Sequence, residues 1–217
     1  MYKRQAPYKV PTVPIENPKT PCKVSPKYPV PIENSKTTKT PITKTTKPNV
    51  WWWIVIMSII VIGLGVLLHY TYEWSGENGF VGTFSSVNES VWEHLKLLFY
   101  PLIIACLIQF AFLRQNNLGP GIMFGVISGM LLIVAMFYTY IGAFTHPDSY
   151  VAIDITIFII SSILAVIVAT AFFSVNSYDT SYQILSFIVV LMILILFIVF
   201  TFNPPDVPLF VPPPESN

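Results

Sequence analysis

Charge is scarce in this chain: only 11% of its 217 residues are Asp, Glu, Lys or Arg, while 53% are hydrophobic and the mean hydropathy is +0.63. Soluble domains carry roughly a quarter charged residues, so the composition points to an integral membrane protein with the bilayer as partner and no nucleic-acid role. Cysteine occurs twice, Cys22 in a polar stretch and Cys106 in an apolar run, which excludes a disulfide scaffold. A Gly-rich phosphate loop, a CxxC pair and a serine-nucleophile elbow are all missing, so nucleotide-driven transport and serine chemistry are disfavoured. Basic residues almost vanish after the first fifty. Residues 1–50 hold ten Lys/Arg against two Glu and residues 51–217 hold two against nine Asp/Glu, giving net charges of +8 and −7. No apolar signal core precedes residue 50, so the first apolar run is expected to act as an uncleaved anchor.

Three domains are expected: residues 1–49 as a disordered Pro/Lys/Thr-rich tail, 50–211 as the membrane domain, and 212–217 as a short C-terminal tail. Ten prolines fall in the first fifty residues, with an imperfect repeat of VPIENPKTP from Val13 and VPIENSKTTKTP from Val30. Proline blocks helix, and Val10, Ile15, Val30 and Ile32 are too few to offset the entropy of ordering the segment.

Runs of apolar residues predict five helical spans, roughly Trp51–Tyr70, Leu97–Leu113, Gly121–Phe144, Val151–Phe173 and Gln183–Phe202. The fold class is therefore an all-α bundle in the cell membrane. The bias of Lys and Arg toward the cytoplasm puts the N-terminus inside and, with five spans, the C-terminus outside; Lys96 is then the single basic residue on the outer face. Aromatic residues mark both expected interfaces, Trp51 to Trp53 within and Tyr70, Trp74, Trp92 and Tyr138 among those without. Gly121, Gly125 and Gly129 recur on one face of the third span and predict a close helix–helix seam, either within this bundle or with a second copy as a homo-oligomer.

The chemistry concentrates on the outer face. The longest loop, about residues 71–96, carries Glu73, Glu77, Glu89, Glu93 and His94, with His69 just before it. If the first helix runs on through YEWSG, His69 and Glu73 stand one turn apart on one face, a spacing that presents imidazole and carboxylate to a common metal or proton. Asp154, inside the run VAIDITIFII, is expensive in an apolar span unless paired or wet. His146 and Asp148 occupy the turn before it. We expect His69, Glu73, Glu93, His94 and Asp154 to converge: His69, Glu73 and His94 as ligands of a metal such as zinc, with Glu93 and Asp154 as the catalytic carboxylates. Consecutive Glu93 and His94 point about 100° apart, so one of them should face His69 and the other the adjacent span. Blander readings compete. Ser86-x-x-Glu89 fits a capping box, Glu93 and Lys96 fit an exposed i,i+3 pair, and the whole cluster fits a hydrogen-bonded network without metal.

HYTYEWSG from His69, VGTFSSVNESVWEHLKLLFYP from Val81, YTY from Tyr138, DITIF from Asp154 and TFNPPDVPLF from Thr201 together resemble a bacterial family of uncharacterised small membrane proteins, the domain of unknown function numbered 6512. The likeness covers about residues 51–211, and VNESVWEHLK, with Asn88, Glu89 and Trp92, is its most specific part. It implies a polytopic membrane protein with no assigned activity. The N-terminal tail departs from that pattern, and Val211 with three prolines stands where the family continues to an Asp-Pro and a Gly-rich end.

Three functions stay open on sequence alone: a metal-dependent membrane hydrolase, a non-catalytic assembly or scaffold subunit, and an ion or proton pathway with Asp154 and Glu73 as relay groups. The near absence of charge within the spans lowers the third.

Overall fold

The computed structural model describes residues 49–113, 117–143, 151–175 and 177–212. The tail expected to be disordered, the Arg114 turn, and His146 and Asp148 lie outside the described residues. The described chain is helical, without strands: α1 (Val50–Trp74), a single turn α2 (Gly79–Gly82), α3 (Val91–Leu113), α4 (Leu118–Ala143), α5 (Val151–Phe173) and α6 (Thr180–Phe202), then a 3-10 turn at Pro208–Phe210. Five of these helices are long and apolar enough to cross a membrane. At 23 to 26 residues each exceeds the roughly 20 needed to span the hydrocarbon core.

Three helices start three or more residues earlier than apolarity alone predicts: α3, α4 and α6, the last at Thr180 rather than Gln183. The third element of the chain, α3, begins at Val91 rather than Leu97, because the polar residues ahead of Leu97 satisfy one another. Ser90 Oγ accepts from the Glu93 amide at 3.4 Å, and Asn88 Oδ1 accepts from the Ser90 amide at 2.9 Å. The cap is thus Ser90 with Glu93, not Ser86 with Glu89, and Glu89 precedes the helix. For α4 the start is Leu118, since Pro120 in the first turn has no intrahelical bond to lose.

Packing follows the small residues. The seam on α4 faces this chain's own α5: an added Cβ at Gly125 would come within 2.8 Å of Ala169 Cβ and 3.0 Å of the Ala165 carbonyl oxygen, and one at Gly129 within 2.8 Å of Ala165 Cβ. Gly121 lies under the Phe173 ring. All three glycines are buried, so a second copy would have to use another face. Gly125→Ala should therefore lower stability by about 1–3 kcal/mol, because backbone and alanine neighbours have no rotamer with which to yield. Gly63→Ala, which meets nothing within 4 Å, should be near neutral. Thermal unfolding of the two variants in detergent checks the contrast.

A second close approach joins α1 to α3. Pro101 lies inside α3 and cannot donate to the carbonyl of Leu97, and Gly65 of α1 packs there, where an added Cβ would sit 2.8 Å from the Leu97 oxygen. The Phe158 ring of α5 covers Gly65 from the other side. Outermost is α6, which fully buries only Ser186 and Phe197, packs Val190, Ile193, Leu194 and Phe200 part-buried against the core, and presents most of its other apolar side chains outward, as a lipid-facing helix does. Trp51 and Trp52 at one end of α1 and Trp74 at the other are two-thirds or more exposed, fitting the expected aromatic belts. Trp92 does not belong to them. It is 8% exposed, enclosed by Phe197, Phe200 and Phe210 at ring-centroid distances of 4.8, 5.5 and 4.8 Å. The TFNPPDVPLF segment folds back to place Phe210 there, so two of the motifs that carry the family likeness pack on each other.

Candidate metal centre

At the His69 end of the bundle the chain between α1 and α3 is strapped down from both sides. Ser85 is the strap on α1: its Oγ donates to the Leu68 carbonyl and accepts from Thr71 Oγ1 and the Tyr72 amide, each at 3.0 Å. On the α3 side Glu93 Oε2 accepts from the Val87 amide at 2.9 Å, and Tyr100 donates its hydroxyl to the Thr83 carbonyl at 2.8 Å. Residues 86–89 are thereby held against the last turn of α1. A cleft of about 170 Å³ remains between them, lined by His69, Tyr72, Glu73, Ser86, Asn88 and Glu89 among others.

Three side chains gather beside that cleft. His69 Nε2 lies 3.7 Å from Glu89 Oε1, and His94 Nε2 lies 3.5 Å from Glu89 Oε2. One ligand atom from each of the three falls within 4.8 Å of the others. Both separations lie within ion-pair range, and each runs to a different oxygen of Glu89. Imidazole–carboxylate hydrogen bonds run at about 2.7–3.2 Å, which both pairs exceed. Two ligands of one tetrahedral zinc, each about 2.0–2.2 Å from the ion, stand about 3.3–3.5 Å apart, close to what is seen here.

The tautomer of His94 supports the same reading. Its Nδ1 donates to the Ser90 carbonyl at 2.9 Å, so Nε2 is the ring nitrogen turned toward Glu89. His69 has no such support: its Nδ1 is buried without a hydrogen-bond partner, and its ring stacks edge-on to Tyr70 and tilted against His94. Glu89 is 66% exposed and both histidines are about a quarter exposed, so the group faces solvent.

The expected site residues separate into groups. His69 and His94 meet, and Glu73, one turn beyond His69 on α1, lines the cleft. The carboxylate closing the group is Glu89, whose spacing from Ser86 also fits a helix cap. Glu93 and His94 do diverge: His94 faces His69, and Glu93 turns inward to Lys96. That pair is buried rather than exposed, with side-chain exposures of 3% and 0% and a separation of 2.5 Å. Asp154, half-buried in the first turn of α5, lies one turn from Phe158, as His69 lies one turn from Gly65, but it is not among the residues lining the cleft. Asn88 shapes the loop, its carbonyl accepting from Ser86 Oγ at 2.7 Å.

A polar knot lies at the opposite end. Asn117, fully buried, donates from Nδ2 to the Val175 and Phe172 carbonyls at 2.8 and 3.3 Å and accepts at Oδ1 from the Tyr178 amide and Gln183 Nε2 at 3.0 and 3.2 Å. An Asn in a turn, here the second of the pair Asn116-Asn117, carries no pattern that would single it out.

No curated protein and no solved structure matches the chain. The motifs that pack around the His/Glu group and the C-terminal fold-back do have a family counterpart: residues 42–213 match the family of unknown function DUF6512, and the chain belongs to that family.

Proposed function

We propose that this is a multi-pass membrane protein, with its N-terminus cytoplasmic and the His69 end outside, that holds one zinc-like ion between His69, Glu89 and His94 and uses it to hydrolyse an ester or amide. The observation that carries the reading is the spacing of Glu89 from the two imidazoles, too long for hydrogen bonds and close to that of ligands sharing an ion. Two histidines and one carboxylate with an exposed side is the ligand set of a catalytic zinc, which lowers the pKa of bound water to about 7. Glu73, on the cleft wall, takes the proton as water adds to the carbonyl carbon, and returns it to the leaving oxygen or nitrogen as that bond breaks.

The orientation rests on the ten basic residues ahead of α1. Charge also narrows the substrate. After residue 50 the sequence holds only Lys96 and Arg114 as cations; Lys96 is fully buried, and Arg114 follows the far end of α3. With Glu73 and Glu89 on its wall and no Lys or Arg among the described residues lining it to balance the added charge of an anion, the cleft suits an uncharged carbonyl better than a phosphate ester.

Zinc-loaded protein in detergent should hydrolyse a p-nitrophenyl carboxylic ester and leave p-nitrophenyl phosphate intact. Glu73→Gln should slow the ester reaction by about 10²- to 10⁴-fold at unchanged zinc content. An absence of zinc-dependent ester hydrolysis, or full activity in Glu73→Gln, would overturn the hydrolase reading.

A further inference from the structure

The strongest polar interaction at the His69 end lies outside the candidate metal centre. Lys96 is 0% exposed and spends all three ammonium donors: on Glu93 Oε2 at 2.5 Å, on the Gly82 carbonyl at 2.7 Å and on Thr201 Oγ1 at 3.0 Å. The same Glu93 oxygen accepts from the Val87 amide. A buried pair thus ties α3 to α6 through Thr201 and holds the connecting loop at two points, Gly82 and Val87. The second point lies two residues before Glu89, the exposed member of the metal group. His94 lies one residue from Glu93 and two from Lys96, so a single turn of α3 supplies one ligand and both anchors for the loop that supplies another.

Stability alone does not account for such a pair. Removing two charges from water costs about as much as their attraction returns, and apolar residues of similar volume often serve as well or better. What an apolar pair lacks is direction: it cannot accept from one chosen amide and donate to one chosen carbonyl.

We infer that Glu93 and Lys96 are positioning residues for the metal centre, fixing the 82–89 loop so that Glu89 stands at ligand distance from His69 and His94. The inference rests on the metal reading above, and its test separates the two. The double variant E93L/K96M removes the charges and both tethers while keeping the site filled. It should unfold within a few degrees of the wild type. Its zinc affinity should fall by about 10- to 100-fold, as when the outer supports of a metal site are lost, and the visible spectrum of its cobalt form should change. A second double variant, E93Q/K96M, keeps an acceptor for the Val87 amide and should recover most of that affinity.

Hydrogen exchange in residues 82–89, measured without metal, gives a readout independent of zinc. It should be at least about tenfold faster in E93L/K96M than in the wild type, because the loop opens locally without its tethers. If E93L/K96M does not fold, E93Q/K96M decides on the same measures, with a few-fold loss of affinity and faster exchange at Gly82, where the lysine tether is gone. Wild-type affinity together with wild-type exchange in the folded variant overturns the positioning role. A wild-type protein that binds no zinc but whose loop loosens in E93L/K96M overturns the metal reading and leaves the tethering in place.

Discussion

Lys96→Met alone should destabilise the protein by about 3–5 kcal/mol, far more than the double replacement E93L/K96M. The single change leaves Glu93, 3% exposed, with the Val87 amide as its hydrogen-bond donor and no positive charge beside it. The carboxylate must then either stay charged in an apolar surround or take up a proton, and both are costly. Gly82 loses the donor to its carbonyl, and the link to Thr201 at the end of α6 disappears as well. Thermal unfolding in detergent should show a drop on the order of 10 °C. A loss of only a degree or two would mean that water reaches the pair.

Asn117→Ala should cost a similar amount at the other end, on the order of 3 kcal/mol, since at least four hydrogen bonds end on this one side chain and each buried group left unpaired costs about 1–3 kcal/mol. The side chain ties the start of α4 to the turn between α5 and α6, and Gln183 extends the tie by accepting from the Gly119 amide at 3.2 Å. Zinc affinity should not change, because α3 runs about 30 Å between His94 and this knot. Unfolding and zinc titration of the same preparation check both halves. An affinity loss that tracks the stability loss would show that the two ends are coupled.

The five helices were legible because bilayer thickness imposes a length and an apolarity that few other constraints imitate. Gly121, Gly125 and Gly129 marked a seam for a similar reason: only small residues allow backbones so close. What stayed hidden were contacts set by direction. Glu89 fits a cap pattern with Ser86, and the hydrogen bonds of Ser90 and Asn88 show that the helix starts later, which frees Glu89 to face the histidines. Glu93 and Lys96 at i,i+3 read equally well as a surface pair or a buried one, and the decision lies in Gly82, Val87 and Thr201, which no local pattern connects to them. Trp92 read as an interface anchor because nothing in its neighbourhood announces that Phe210, more than a hundred residues later, returns to cover it.

Zinc analysis of metal-stripped, zinc-reloaded protein in detergent tests the central claim most directly, with Glu89 set against Glu73. Wild type should retain about one zinc per chain, His94→Ala and Glu89→Gln should lose it, and Glu73→Gln should keep it, all with unchanged helix content. A wild-type protein that retains no zinc, or one that loses it with Glu73→Gln and keeps it with Glu89→Gln, would contradict the account.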